Sequence, residues 1–252
     1  MNDVPLSIAL EGASNLRDLG GYGAGEGRRV RYGLLFRGAA LATLTENDLK
    51  TLAALRIATV CDFRGVDEAA RAPDRLMGPR AVHLPIEPSV GAGLRDILAT
   101  QEATGEALHA VLERAYIDYA LGSTAQYAGL FGLLLAGHVP MLFHCAAGKD
   151  RTGFAAALVL TALGVPWPDV VADFEATNRL WRRDTVASSD LPESVREQLM
   201  RANPALLGAA FAAIDREYGS FAAYLDRALG VDQDARARLC DSLLEAPVGG
   251  CG

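Results

Sequence analysis

The strongest constraint on the fold is the stretch His144-Cys145-Ala146-Ala147-Gly148-Lys149-Asp150-Arg151-Thr152-Gly153, which lies between two apolar runs of unequal length. The first, Val139 to Phe143, is short and suits a buried strand. The second, Phe154 to Leu163, is long enough for a helix, with Gly164 placed to end it and Pro166 to block its continuation. A cysteine therefore leaves a strand and enters a tight loop, and an arginine follows six residues later at a helix start.

That order of parts suits attack on a phosphate monoester. Loop amides and a helix N-terminus converge on a bound anion, where the macrodipole favours negative charge. The same field favours the thiolate of Cys145 as nucleophile at neutral pH. Arg151 offers a planar fork for two phosphate oxygens through an in-line transition state. Ala146, Ala147, Gly148, Lys149 and Thr152 form the rest of the binding loop; His144 orders it through hydrogen bonds, and Thr152 is placed to donate to the cysteine sulfur.

Other readings of the stretch fare differently. A nucleotide loop needs glycine where Phe143 stands and Ser or Thr where Asp150 stands, so it fails on spacing. A cysteine packed after a strand is the ordinary structural alternative. A rhodanese-like sulfurtransferase also closes a cysteine loop with arginine, but gains nothing from an acid beside it. A non-catalytic phosphate-binding module has no need of Cys145.

The His-Cys-x5-Arg pattern with Gly148-Lys149-Asp150-Arg151-Thr152-Gly153 resembles the atypical bacterial protein-tyrosine/dual-specificity phosphatase family. Asn15 to Gly21, Leu35 to Gly38, Val60 to Arg64, Ala172-Asp173-Phe174 with Thr177-Asn178, and Glu217 to Ser220 are similar to that family too. The resemblance implies a cysteine-dependent phosphatase fold, a cysteinyl-phosphate intermediate and no metal or other cofactor. It implies substrates among phosphotyrosine, phosphoserine or phosphothreonine proteins and phosphoinositides. By the family pattern Lys149 sits on the loop rim to meet extra charge on phosphoinositides, and Asp150 is the general acid. Classical relatives carry the acid on a separate loop, and Asp62 is the nearest residue here for that job.

The 252 residues, half of them apolar, can bury a sizeable core as one domain spanning 1–252. A net charge of −7 with interspersed signs lacks the basic stripe expected of a nucleic-acid partner. It also means that the site must supply its own positive potential for an anionic substrate. No apolar run is long enough for stable membrane insertion, and the N-terminus lacks a signal-peptide pattern. The four cysteines, 61, 145, 240 and 251, have neither disulfide-framework nor zinc spacing, which fits a reducing cytoplasm. Relatives exported without a visible signal keep a second location open.

Along the chain, the glycines between Leu19 and Val30 mark a hairpin tip, with Arg29 to Phe36 as the returning strand. Arg17 and Arg37 flank strands and either pair with core carboxylates or touch substrate. Thr45 to Asp48 form a capping box, ahead of a helix with Leu49, Leu52 and Leu55 on its apolar face. Ile57 to Phe63 reads as a buried parallel strand with Asp62 and Arg64 at its carboxyl end, the edge where ligands bind in open α/β sheets. Alternation turns Cys61 away as packing. Ala81 to Ile86 is a further strand and Pro88 to Gly93 a connection. Helices follow at 105–121 and 123–136, then from Pro168 to Trp181, and three more close the chain between 205 and 244. His83, His109 and His138 do not share metal-ligand spacing. Residues 179–201 change character and read equally as a helical lid or a solvated connection. The expected fold is α/β, a mostly parallel central sheet of four or five strands flanked by helices.

Overall fold

The computed structural model describes residues 6–87, 105–182 and 193–245. Pro88 to Gly93, and the middle of the 179–201 segment, lie outside them. In chain order the elements open with β1 (Arg17–Asp18), β2 (Arg29–Val30) and β3 (Leu35–Gly38), followed by α1 (Glu46–Ala54). Then come β4 (Thr59–Asp62), α2 (Val66–Arg71) and β5 (Arg80–His83). The middle of the chain holds α3 (Gly105–Gly122), α4 (Thr124–Leu135), β6 (Met141–His144) and α5 (Asp150–Ala162). The last part holds α6 (Trp167–Leu180), α7 (Glu193–Met200), α8 (Pro204–Tyr218), α9 (Phe221–Leu229), α10 (Gln233–Leu243) and β7 (Leu244–Glu245).

Among the described residues the main sheet runs β1-β3-β6-β4-β5, with only the β1–β3 pair antiparallel. Strand β6, which leads into the cysteine loop, is thus central, and its carboxyl end opens between those of β3 and β4. Register places Gly38 and Asp62 on either side of His144.

Strand alternation divides the core. Phe36, Val60 and Leu142 point to one face, where they pack with Leu10, Leu44 and Leu52 of α1. Leu35, Cys61, Met141 and Phe143 point to the other, against α3, α4, α5 and the C-terminal helices. Cys61 is packing, as alternation predicts. Helices cover both faces, but very unequally.

Helix α1 starts where the sequence places it. Thr45 Oγ1 accepts from Asp48 N and Asp48 returns the bond to Thr45 N, a reciprocal capping box. Helix α5 is apolar nearly all round and buried along most of its length, which needs protein on every side. The sheet supplies one side, and α6 with α3 much of the rest.

One expectation fails. Arg29 to Phe36 is not a single returning strand: β2 pairs antiparallel with the C-terminal β7, and only β3 enters the main sheet. Val30 pairs with Leu244 across the length of the chain, a contact that local turn signals do not report.

Candidate active site

The loop after β6 is held from outside by its carbonyls. Ala146 O accepts from Ala40 N at 3.0 Å. Ala147 O and Gly148 O each accept from Asn15 Nδ2 at 3.0 Å, and Gly148 O also accepts from Arg37 Nη2 at 2.7 Å. In a trans peptide the N–H of the next residue points opposite to each carbonyl. With three successive carbonyls tied outward, the amides of Ala147, Gly148 and Lys149 turn to the inner side. This is the arrangement an anion cradle needs. Gly148 adopts φ +65°, and a Cβ there would lie 2.2 Å from Gly38 O, so only glycine fits against β3.

Behind the cradle lies a buried charge cluster. Asp173 on α6 receives Arg17 Nε at 2.8 Å and Arg37 Nη1 at 2.5 Å. Arg17 also donates to Asn15 Oδ1 at 2.5 Å, which fixes the amide that holds the loop. Burial opposes charge on Asp173, yet the two guanidiniums outweigh it and keep the carboxyl below the usual carboxylate range. Burial and the neighbouring Arg17 charge pull Arg37 down to about 10. Two arginines against one aspartate leave a net positive charge behind the loop. Both arginines pair with a core carboxylate and are fully buried.

A second cluster sits beneath the loop. His144 Nε2 lies 2.9 Å from Asp74 Oδ2, and its Nδ1 is 3.3 Å from Cys145 O. Arg64 lies between the carboxylates, 2.8 Å from Asp62 and 2.8 Å from Asp74. Asp62, Asp74 and His144 bring ligand-type atoms within 4.8 Å of one another, but the Arg64 guanidinium already supplies the positive charge there. Both Asp62 oxygens accept from Arg64 Nε at 3.0 Å. Arg64 thus occupies both oxygens of Asp62.

Arg151 enters α5 as its second residue. Its Nη1 donates to Glu68 Oε2 at 2.5 Å and to Ile86 O at 3.0 Å, and its Nη2 to Glu68 Oε1 at 3.1 Å. Burial disfavours its charge, but Cys145 and Glu68 outweigh that and raise its pKa further. Burial likewise opposes Glu68, and the bond and charge of Arg151 nonetheless hold its carboxyl low. Asp150, at the head of α5, accepts from Tyr116 Oη at 2.7 Å on its Oδ1, and Lys149 Nζ lies 2.8 Å from the same oxygen as an ion pair.

Lys149 is not on an open rim, as the family pattern implies. It is 3 % exposed, and its Nζ donates to Leu199 O of α7 at 2.8 Å, so α7 covers it. The segment 179–201 begins anchored, with Arg182 donating to the carbonyls of Leu10, Glu11 and Ala13. Residues 183–192 lie outside the described ones. Thr152 Oγ1 is buried and makes no hydrogen bond to a described residue, the cysteine sulfur included. His83 contacts Arg64 O, His138 contacts Arg80 and His109 faces Glu113, so the three histidines do not meet.

The structure brings His144, Cys145, Ala146, Ala147, Gly148, Lys149, Asp150, Arg151 and Thr152 together as one loop and helix start, with Asp62 below it. Sequence reasoning missed Glu68, Asp74 and Tyr116 as parts of this site. For Asp173 a signal existed: a carboxylate between Ala172 and Phe174, on the inner face of a helix, needs a buried partner.

A family model described as the tyrosine phosphatase family matches residues 8–245. The chain belongs to that family. The triple specificity protein phosphatase PtpB of Mycobacterium tuberculosis is 32 % identical, covering 93 % of this chain and 98 % of its own. A protein of Cupriavidus necator bearing a tyrosine-protein phosphatase name is 33 % identical over 89 % of this chain and 85 % of its own. A tyrosine-protein phosphatase of Nostoc commune is 29 % identical over 78 % and 69 %. This tyrosine phosphatase family member is a phosphatase acting on phosphorylated substrate, and the sulfur-transfer and binding-module readings are set aside. Its sheet is the mostly parallel α/β sheet expected from the sequence.

Proposed function

We propose that the enzyme hydrolyses phosphomonoesters in two steps through a cysteinyl-phosphate, acting on phosphotyrosine and also on phosphoserine, phosphothreonine or phosphoinositides. The observation that carries this reading is the outward capture of the Ala146, Ala147 and Gly148 carbonyls, which turns consecutive amides inward beside Cys145. In the first step the Cys145 thiolate attacks phosphorus. The S–P bond forms as the P–O bond to the leaving group breaks, and Asp150 gives that oxygen its proton. Arg151 and the loop amides hold the three equatorial oxygens. In the second step water attacks phosphorus, Asp150 takes the water proton, and the thiolate leaves. Positive charge comes from Arg151, the amides and the Arg17–Arg37 pair, so the residues themselves meet the demand for charge stabilisation.

The whole chain acts in this reading as one domain, with α7 as the covering part of a lid. Its seat on Lys149 and on α3 supports this. Asp150 is assigned the acid role ahead of Asp62, because Asp62 is bound on both oxygens by Arg64. The triple specificity of the PtpB relative supports the wider substrate range. A panel of phosphotyrosine peptide, phosphoserine and phosphothreonine peptides and phosphoinositides, run at one pH with wild type and Cys145→Ser, tests the proposal. Turnover of phosphotyrosine peptide by the wild type alone is expected. Turnover that survives in the serine variant would overturn the mechanism.

A further inference from the structure

We propose that Tyr116 is the positioning residue of the acid step, its hydroxyl fixing Asp150 so that Oδ2 is the oxygen that carries the proton. This rests on the assignment of Asp150 as the acid. The geometry is specific. Tyr116 Oη donates to Asp150 Oδ1 at 2.7 Å, and Lys149 Nζ lies 2.8 Å from the same oxygen. An oxygen that already accepts the phenol hydrogen and faces an ammonium is a poor seat for a proton. The proton is therefore directed to Oδ2, and the carboxyl is held against rotation about its terminal torsion, which is otherwise soft.

Tyr116 is itself immobilised. It is 1 % exposed, and its ring meets Tyr119 at 5.6 Å and Phe174 at 6.1 Å in edge-to-face contacts. Helix α3 thus acts as a rigid strut onto the head of α5. Burial first, and then Asp150, push the phenol well above its ordinary pKa, so it remains a donor across the working pH range. The groups facing this carboxyl are Lys149 and Arg151 beside it and Tyr116 and Tyr119 from α3. Arg37 from β3 and Glu68 from α2 lie further round the same space.

Two consequences separate positioning from packing. Without the phenol, the carboxyl loses its orientation, and this slows only reactions whose leaving oxygen needs the proton. A hydroxyl donating to a carboxylate also favours its charged form. Removing the hydroxyl therefore moves the alkaline limb of kcat to higher pH.

The experiment compares Tyr116→Phe, Asp150→Asn and the double variant on a phosphotyrosine peptide and on para-nitrophenyl phosphate, whose leaving group is acidic. Tyr224→Phe serves as control, since it removes another buried phenol, bonded to Ala120 O at 2.8 Å, away from the loop. Expected for Tyr116→Phe are a loss of about tenfold in kcat on the peptide, a loss under about twofold on para-nitrophenyl phosphate, and the raised alkaline limb. In the Asp150→Asn background the same substitution should add nothing. Should the phenylalanine variant be unstable, 3-fluorotyrosine at position 116 keeps the shape, strengthens the donor and should move the limb to lower pH. If Asp150→Asn shows the leaving-group dependence but both position-116 variants leave the limb in place, Tyr116 is packing and the proposal fails. If Asp150→Asn lacks that dependence, the acid assignment falls, and the proposal with it.

Discussion

Glu68 grips both terminal nitrogens of Arg151, at 2.5 Å and 3.1 Å, from the first turn of α2. The outer edge of the guanidinium is therefore occupied before substrate arrives. In the proposed mechanism its Nε, which donates to no described residue, serves the phosphate oxygens. A planar fork gains specificity from such prior orientation, because less freedom is lost on binding.

Glu68→Gln keeps the shape and removes the charge of this clamp. It should lower kcat by about tenfold on every substrate alike, since transition-state contact by Arg151 is common to all of them. Steady-state kinetics on two substrates with different leaving groups checks this; a loss confined to one substrate would assign Glu68 to substrate choice instead.

Cys145→Ser should abolish turnover yet leave vanadate or phosphate binding largely intact, because the amides and Arg151 remain. Isothermal titration of the variant measures the binding directly. Peroxide inactivation, reversed by thiol, should track Cys145 and not the deeply buried Cys61, whose thiol burial pushes up.

The Asp173 cluster should set acid stability. Folded-state pKa values of Asp173, Asp74 and Glu68 are depressed, burial being outweighed by Arg17 and Arg37, by His144 and Arg64, and by Arg151. Depressed values give stability that is complete above the unfolded carboxylate range, about 4, and is lost as pH falls through the lower folded values. Urea midpoints should hold steady from neutrality to about pH 5 and drop steeply below 4. Asp173→Asn leaves two buried guanidiniums facing a neutral amide and should cost about 3–5 kcal/mol at neutral pH. It should also flatten the acid drop, and an unchanged drop would place the acid sensitivity elsewhere.

How much of this was legible in the sequence depended on range. Strand β6, the loop and α5 were readable because apolar run, glycine and helix stop all lie in one short stretch, from Val139 to Gly164. The capping box of α1 was readable for the same reason, its two members being three residues apart. Arg17 and Arg37 announced a need for carboxylates, but their partner Asp173 lies 136 positions beyond Arg37, and no periodicity carries that distance. Glu68 lies in the first turn of a short helix and Asp74 just beyond its end, where acidic residues are ordinary, so nothing marked one as a clamp and the other as the partner of His144. Lys149 misled because its neighbours in sequence describe a loop rim, whereas α7, some 50 residues on, covers it.

The last prediction concerns that lysine. Lys149 Nζ donates to Leu199 O of α7 and pairs with Asp150 Oδ1, and the residue is 3 % exposed, so in this closed arrangement a second phosphate does not reach it. A multiply phosphorylated inositide can reach the ammonium only if α7 moves and the bond to Leu199 O breaks. The single phosphate of a phosphotyrosine peptide makes no such demand on the ammonium. Lys149→Ala removes both the lid contact and the second-phosphate contact. On the peptide these changes should oppose one another: a looser lid eases entry, while Asp150 loses the ammonium beside Oδ1. On the inositide the loss of a charged phosphate contact is added, worth about 1.5–3 kcal/mol, or roughly 10- to 150-fold in kcat/KM. The ratio of the two kcat/KM values is the measurement. A fall of the inositide relative to the peptide by tenfold or more assigns Lys149 to the second phosphate. Equal losses on both substrates would leave it as the tether of α7 to the catalytic loop and nothing more.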